Sequence, residues 1–227
     1  MENVVRVLST LALKGAVGSL AGQYEAGGGA RIDADFAPTL GLLESLRNGE
    51  TADVVILTKE ALGDLAEKGM VVADSCVDLA RSFVSIAVKA GVAHPDIATE
   101  SALRATLLGA RVAYSRIGAS GIFFAQLIER MGIASEINAR ACIIPSGFTA
   151  EQLLTGDADL AVQQISELNL VPGVEVVGPI PRELQSPAVF SAGRLRTSTR
   201  VAQSDALLKY LASPEAAPVL RESGLEP

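Results

Sequence analysis

The sequence predicts an α/β protein of two lobes, each a mostly parallel sheet with helices on both faces, and an interlobe cleft. Three observations predict it. Short β-branched runs alternate with segments of helical period, this grammar occurs twice along the chain, and alternating strands separate the two occurrences. A length of 227 residues accommodates one large domain or two small ones.

In chain order, residues 4–8 (VVRVL) read as a strand, 11–24 as a helix and 32–36 as the next strand. A helix over 40–47 stops at Asn48-Gly49. The run 53–57 (DVVIL) is nearly uninterrupted apolar, as expected of a strand covered on both faces, and a helix over 59–67 ends at Gly69. The order βαβαβα predicts right-handed crossovers within a parallel sheet. The second unit reads as strand 110–114, helix 121–131 closed by Gly132, strand 139–144, helix 149–154 closed by Gly156, and strand 159–163. Alternating strands at 83–89 and 188–192 are read as crossing between lobes. Helices over 200–211 and 214–223 have no sheet of their own, so they are expected to pack back on the first unit. The expected division is 1–82 with 193–227 as lobe 1, and 83–192, crossing strands included, as lobe 2.

Composition narrows the function. Hydrophobic residues make up 49% and charged residues 20%, which excludes a disordered or collagen-like chain. The net charge of −7 lacks the basic field that attracts phosphate backbones, so no nucleic-acid partner is expected. No apolar stretch approaches the roughly 20 residues of a membrane span. The start, Met1-Glu2-Asn3-Val4-Val5-Arg6, has no basic segment leading into an apolar one. A chain that naturally begins there is expected in the cytoplasm, and one trimmed from an exported precursor in the periplasm. Cys76 and Cys142 are far apart and form no C-x-x-C, so neither a metal site nor a dithiol motif is expected. The one histidine, His94, precedes Pro95 in a polar surface turn.

In open α/β sheets ligands lie beyond the carboxyl ends of the strands, where helix N-termini present unpaired N–H groups. The residues there are Ser9 and Thr10, with Lys14 one turn into the helix, and Thr39 before the second helix. The second unit offers Ser115, Arg116, Gly118, Ala119, Ser120 and Gly121, then Ser146, Gly147 and Phe148, then Gln163 and Gln164 with Glu167 beyond. Taken singly, Thr39, Ser120 and Thr149 also read as ordinary N-caps, and Lys14 and Arg116 as solvated helix residues. Together, five turns rich in hydroxyls, amides and glycines, with few acceptors, select an anion. Gly118-x-x-Gly121 has the wrong spacing for a dinucleotide fingerprint, and no P-loop is present, so no cofactor is expected.

The chain resembles the type II periplasmic solute-binding proteins, in the branch of the molybdate-binding components of ABC transporters. The resemblance is carried by Val7-Leu8-Ser9-Thr10, by residues 46–56 (LRNGETADVVI), by 154–161 (LTGDADLA) and by the terminal Ser223-Gly224-Leu225-Glu226-Pro227. It implies two α/β lobes closing on a small anion, a monomer, and a membrane permease as partner. The pocket departs from that branch. Where the molybdate binders place a first-loop serine this chain has Ala12, Thr39 keeps the second hydroxyl, and their tyrosine corresponds to Gln164. Lys14, Arg116 and two glutamines favour a ligand with separated carboxylates. The stretches 163–168 (QQISEL), 171–174 (VPGV), 178–181 (GPIP) and 183–185 (ELQ) resemble a sub-branch that includes aconitate isomerase.

Two functions follow from these readings. One is a carrier that traps a small di- or tricarboxylate, or an oxyanion, by hinge closure and presents it to a transporter. The other is a cofactor-free isomerase of a small unsaturated tricarboxylate, with Glu167 as the base and Lys14 or Tyr114 in reserve.

Overall fold

Alternation of apolar side chains along each strand builds two sheets with two covered faces, and the described residues, 3–227 of the computed structural model, divide into two units. The opening Met1-Glu2, part of the leader and lobe readings, lies outside the described residues. One unit runs to Ser82 and resumes at Ala188–Pro227; the other is Phe83–Pro187.

Along the first unit come β1 (Val4–Thr10), α1 (Lys14–Ala26), β2 (Arg31–Ala37), α2 (Thr39–Arg47), β3 (Val54–Thr58), α3 (Lys59–Glu67) and β4 (Val77–Ser82). The second unit holds β5 (Val84–Lys89), α4 (Glu100–Gly109), β6 (Val112–Ser115), α5 (Ala119–Arg130) and α6 (Ala134–Asn138). It continues with β7 (Cys142–Ile144), α7 (Glu151–Thr155), β8 (Leu160–Gln164), α8 (Ile165–Leu168) and β9 (Val174–Pro179). The chain returns to the first unit with β10 (Ala188–Arg194), α9 (Val201–Leu211) and α10 (Ala217–Glu222).

The first sheet has the order β2-β1-β3-β10-β4, with β1 parallel to β2 and β3, and β10 antiparallel to β3 and β4. The period of two along β3 sets its two faces. Val54 and Ile56 pack with Val5, Val7, Leu20 and Leu207; Val55 and Leu57 pack with Leu8, Leu42, Leu46 and Leu62. Leu207 comes from α9 and Leu220 from α10, so the C-terminal helices do cover this sheet. The second sheet has the order β7-β6-β8-β5-β9, with β6 parallel to β7 and β8 and β5 antiparallel to β8 and β9. Here Tyr114, Val162 and Ile86 share a face with Phe124, Leu103 and Leu107.

Several elements differ from the expectation. Residues 188–192, read as part of the second lobe, belong to β10, whose ladders with β3 and β4 place it in the first sheet. β4 has no counterpart in the reading, because VDLARS is interrupted by two charged residues at an edge. β9 is likewise an unread edge strand, and α4 and α6 are unread helices. α6 runs to Asn138 with Ala139 as its C-cap, which shortens the strand expected over 139–144 to three residues. The helix expected from residue 11 opens instead with a 3₁₀ turn, Leu11–Leu13, which makes Lys14 the first residue of α1.

Candidate functional site

In each sheet several buried polar residues lie at the carboxyl ends of parallel strands, where open α/β sheets bind ligands. In the first unit β1 ends in Ser9 and Thr10, both buried. The Ser9 hydroxyl donates to the Thr10 carbonyl at 3.1 Å, while Thr10 Oγ1 is buried with no hydrogen-bond partner. Thr39, also buried, begins α2 one position past its N-cap, Pro38, and makes no capping bond. Lys14 is exposed. Ser82, at the end of β4, is a further buried hydroxyl without a partner. Sequence reasoning passed over it because its strand was not read.

In the second unit the expected caps fail in the same way. The N-cap of α5 is Gly118 and Ser120 lies inside the helix; α7 begins after Thr149, which is fully buried. Gly118, Ala119 and Ser120 leave the first N–H groups of a three-turn helix without intrahelical partners, a position that favours anions. Gly121 has a steric reason to be glycine: a Cβ there would lie 1.4 Å from the Ser115 carbonyl oxygen, so α5 can start this close to β6 only without a side chain. Ser115 is buried, and its Oγ accepts from the Ile117 N–H at 3.3 Å.

Arg116 is exposed at this edge and is steadied from below. Its Nε donates to Tyr114 Oη at 3.3 Å, and Tyr114 Oη donates to Asn138 Oδ1 at 2.5 Å. Tyr114 is fully buried in the core, packed edge-on against Phe124 at 5.1 Å. Tyr114, read as a reserve base, here supports Arg116, with Asn138 as a partner the sequence did not reveal.

The loop after β7 carries Ser146, exposed, then Gly147 at φ +87°, then the half-buried Phe148. Gln163 and Gln164 end β8, both buried. The Gln163 amide is filled by protein groups. Its Oε1 accepts from the Thr149 N–H at 2.8 Å and the Thr149 hydroxyl at 3.0 Å, and its Nε2 donates to the Gly147 carbonyl at 3.1 Å and to Glu167 Oε1 at 2.9 Å. Gln163, expected at the ligand edge, thus has protein partners at both ends of its amide.

Glu167 lies in α8, and its Oε2 accepts from the Gln164 N–H at 3.1 Å. The neighbouring Ser166 hydroxyl is buried without a partner. No charged side chain among the described residues pairs with Glu167. Burial therefore dominates and pushes its pKa up from 4.5 to about 7, against the opposing pull of the Gln164 and Gln163 N–H donors. A carboxyl in that state accepts and releases a proton near neutrality.

This shift has a stability signature. Between pH 4.5 and 7 the folded chain keeps a proton that the unfolded chain has lost, so stability from this group is present at low pH and disappears as pH rises. Urea unfolding is expected to show a fall of about 2–3 kcal/mol between pH 5 and pH 8. In Glu167→Gln that component should vanish; a slope identical to wild type would show that Glu167 is not the group titrating.

The family of bacterial extracellular solute-binding proteins matches residues 5–226. A curated relative, the aconitate isomerase of a Pseudomonas species, is 37% identical over 97% of this chain and 87% of its own length. Among solved structures, the periplasmic molybdate-binding protein of Azotobacter vinelandii has a TM-score of 0.81 at 19% identity, covering 97% of this chain and 98% of that one. The sulfate-binding protein of Mycobacterium tuberculosis has a TM-score of 0.80 at 13% identity, covering all of this chain and 87% of that one. A match across nearly every described residue, two five-stranded α/β units with polar carboxyl edges, and this relative together make the chain a member of the bacterial extracellular solute-binding protein family, with the two-lobed type II periplasmic fold.

Proposed function

We propose that this chain binds a small unsaturated tricarboxylate and isomerises it by allylic proton transfer, with Glu167 as the base. The observation that carries the reading is a buried carboxyl, poised near neutrality, just past the carboxyl end of β8 and held by the Gln163 and Gln164 N–H donors. The likeness to an aconitate isomerase at 37% identity supports the same chemistry.

In the step proposed, Glu167 removes a proton from the substrate's CH2 carbon. The C–H electron pair becomes a new double bond to the central carbon, and the electrons of the old double bond take a proton at the far carbon. Atoms and charge balance with no redox partner. Arg116 and the start of α5 would hold one carboxylate and stabilise the charge that develops on it, where donors fixed beforehand have their largest effect. Ser9, Thr10 and Thr39 of the first unit, with Lys14, are a donor set of the same chemical character.

The family match favours a second reading, a periplasmic carrier of a di- or tricarboxylate that delivers it to a membrane permease. A panel of molybdate, sulfate, cis- and trans-aconitate and other di- and tricarboxylates in a thermal-shift assay separates ligand classes, since a ligand at 100 times its Kd adds about 2.7 kcal/mol. Incubation with the stabilising ligand in D2O, followed by NMR, then separates the functions. Isomerisation with deuterium entering the CH2 position is the expected result. Tight binding without exchange would replace the enzyme by the carrier, and stabilisation by molybdate alone would remove the carboxylate assignment.

A further inference from the structure

The orientation of the Gln163 amide is forced by its neighbours. The Thr149 backbone N–H can only donate, so the Gln163 atom 2.8 Å from it must be the oxygen. The amide nitrogen then faces the Gly147 carbonyl and Glu167 Oε1, both acceptors, at 3.1 and 2.9 Å. Both ends of the amide agree on one orientation, and the flipped one would put donor against donor at Thr149 and acceptor against acceptor at Gly147. The same side chain therefore ties two loops together: the turn after β7, with Ser146 and Phe148, and the start of α8, with Glu167.

From this we infer that Gln163 is a positioning residue: locked by Thr149, it presents only N–H to Glu167 and fixes where that carboxyl points. This rests on the reading of Glu167 as the base, and it adds that the turn after β7 and the base are set by one amide. The consequence is chemical as well as geometric. The N–H donors on both oxygens favour the carboxylate and pull against the burial that favours the acid, and a proton taken up by Glu167 finds no acceptor among these partners, which leaves it available for return to a substrate carbon. Burial raises its pKa and the Gln164 and Gln163 donors oppose that, with no charged group among the causes.

The test compares wild type, Gln163→Leu and Thr149→Val, with Glu167→Gln as the control. Two quantities are read from pH 5 to 9: kcat/KM for aconitate isomerisation, and the titration of the Glu167 carboxyl by ¹³C NMR in protein labelled with [¹³C]glutamate. Its resonance is identified by its absence from Glu167→Gln. Loss of a donor to a carboxylate moves its titration upward by roughly one to two pH units. Gln163→Leu should show that shift in both the NMR midpoint and the acid limb of the rate profile. Thr149→Val, which keeps the backbone donor, should move both in the same direction by less, and serves if the leucine variant does not fold. A Glu167 midpoint unmoved in Thr149→Val and in a folded Gln163→Leu overturns the inference. Activity retained by Glu167→Gln would instead remove the base assignment, while the NMR midpoint still decides whether Gln163 controls the carboxyl.

Discussion

Glu167→Gln is expected to lose about 10²–10⁴ in kcat for isomerisation, the usual contribution of a positioned general base, with KM within about threefold of wild type. Arg116 and the α5 N-terminus, which belong to the same unit as Glu167, are untouched by the change, so ground-state affinity should persist. Deuterium exchange into the substrate should fall in parallel, because the same carboxyl removes the proton in both measurements. The wild-type rate should rise with pH through a midpoint near 7, where Glu167 becomes the carboxylate. A glutamine variant that exchanges and isomerises at the wild-type rate would reduce Glu167 to a helix-start residue whose carboxylate accepts the Gln164 N–H.

Gly121→Ala is expected to destabilise the second unit by at least about 3 kcal/mol, at the upper end of what overpacking costs. The added Cβ would meet the Ser115 oxygen at 1.4 Å and its carbonyl carbon at 2.4 Å, and both are backbone atoms in a buried strand. No rotamer change relieves that contact, so α5 must move away from β6. Gly118→Ala is the control. It has open space around its Cβ position and an ordinary φ of −94°, and should cost at most about 1 kcal/mol as an altered N-cap. Urea denaturation of both variants checks the pair; equal stabilities would mean that α5 and β6 are not held at this separation. The displaced helix would also carry Ser120 and the Arg116 loop with it, so a folded remnant is expected to bind its ligand weakly.

The polar edge of each unit was legible to the extent that it depends on strand ends. Ser9, Thr10, Thr39, Ser115 and Glu167 follow from reading the residue after each strand. The role of each was harder to read. Thr39, Ser120 and Thr149 have the composition of helix caps, yet none of the three caps its helix. Tyr114 looks like a polar side chain at a strand end, but its position in the period of two turns it into the core.

Local spacing determined the two α/β units, their strand-to-helix turns and the helices that return to the first sheet, because period and turn chemistry are properties of neighbouring residues. Pairing between distant segments decided the rest. Only the tertiary structure put β10 beside β3 and β4, brought Thr149 within reach of Gln163, and pressed α5 against β6 so that Gly121 could be nothing else. The same is true of the acidity of Glu167, since a carboxyl's pKa is set by the water it loses on burial, and no spacing along a chain records that.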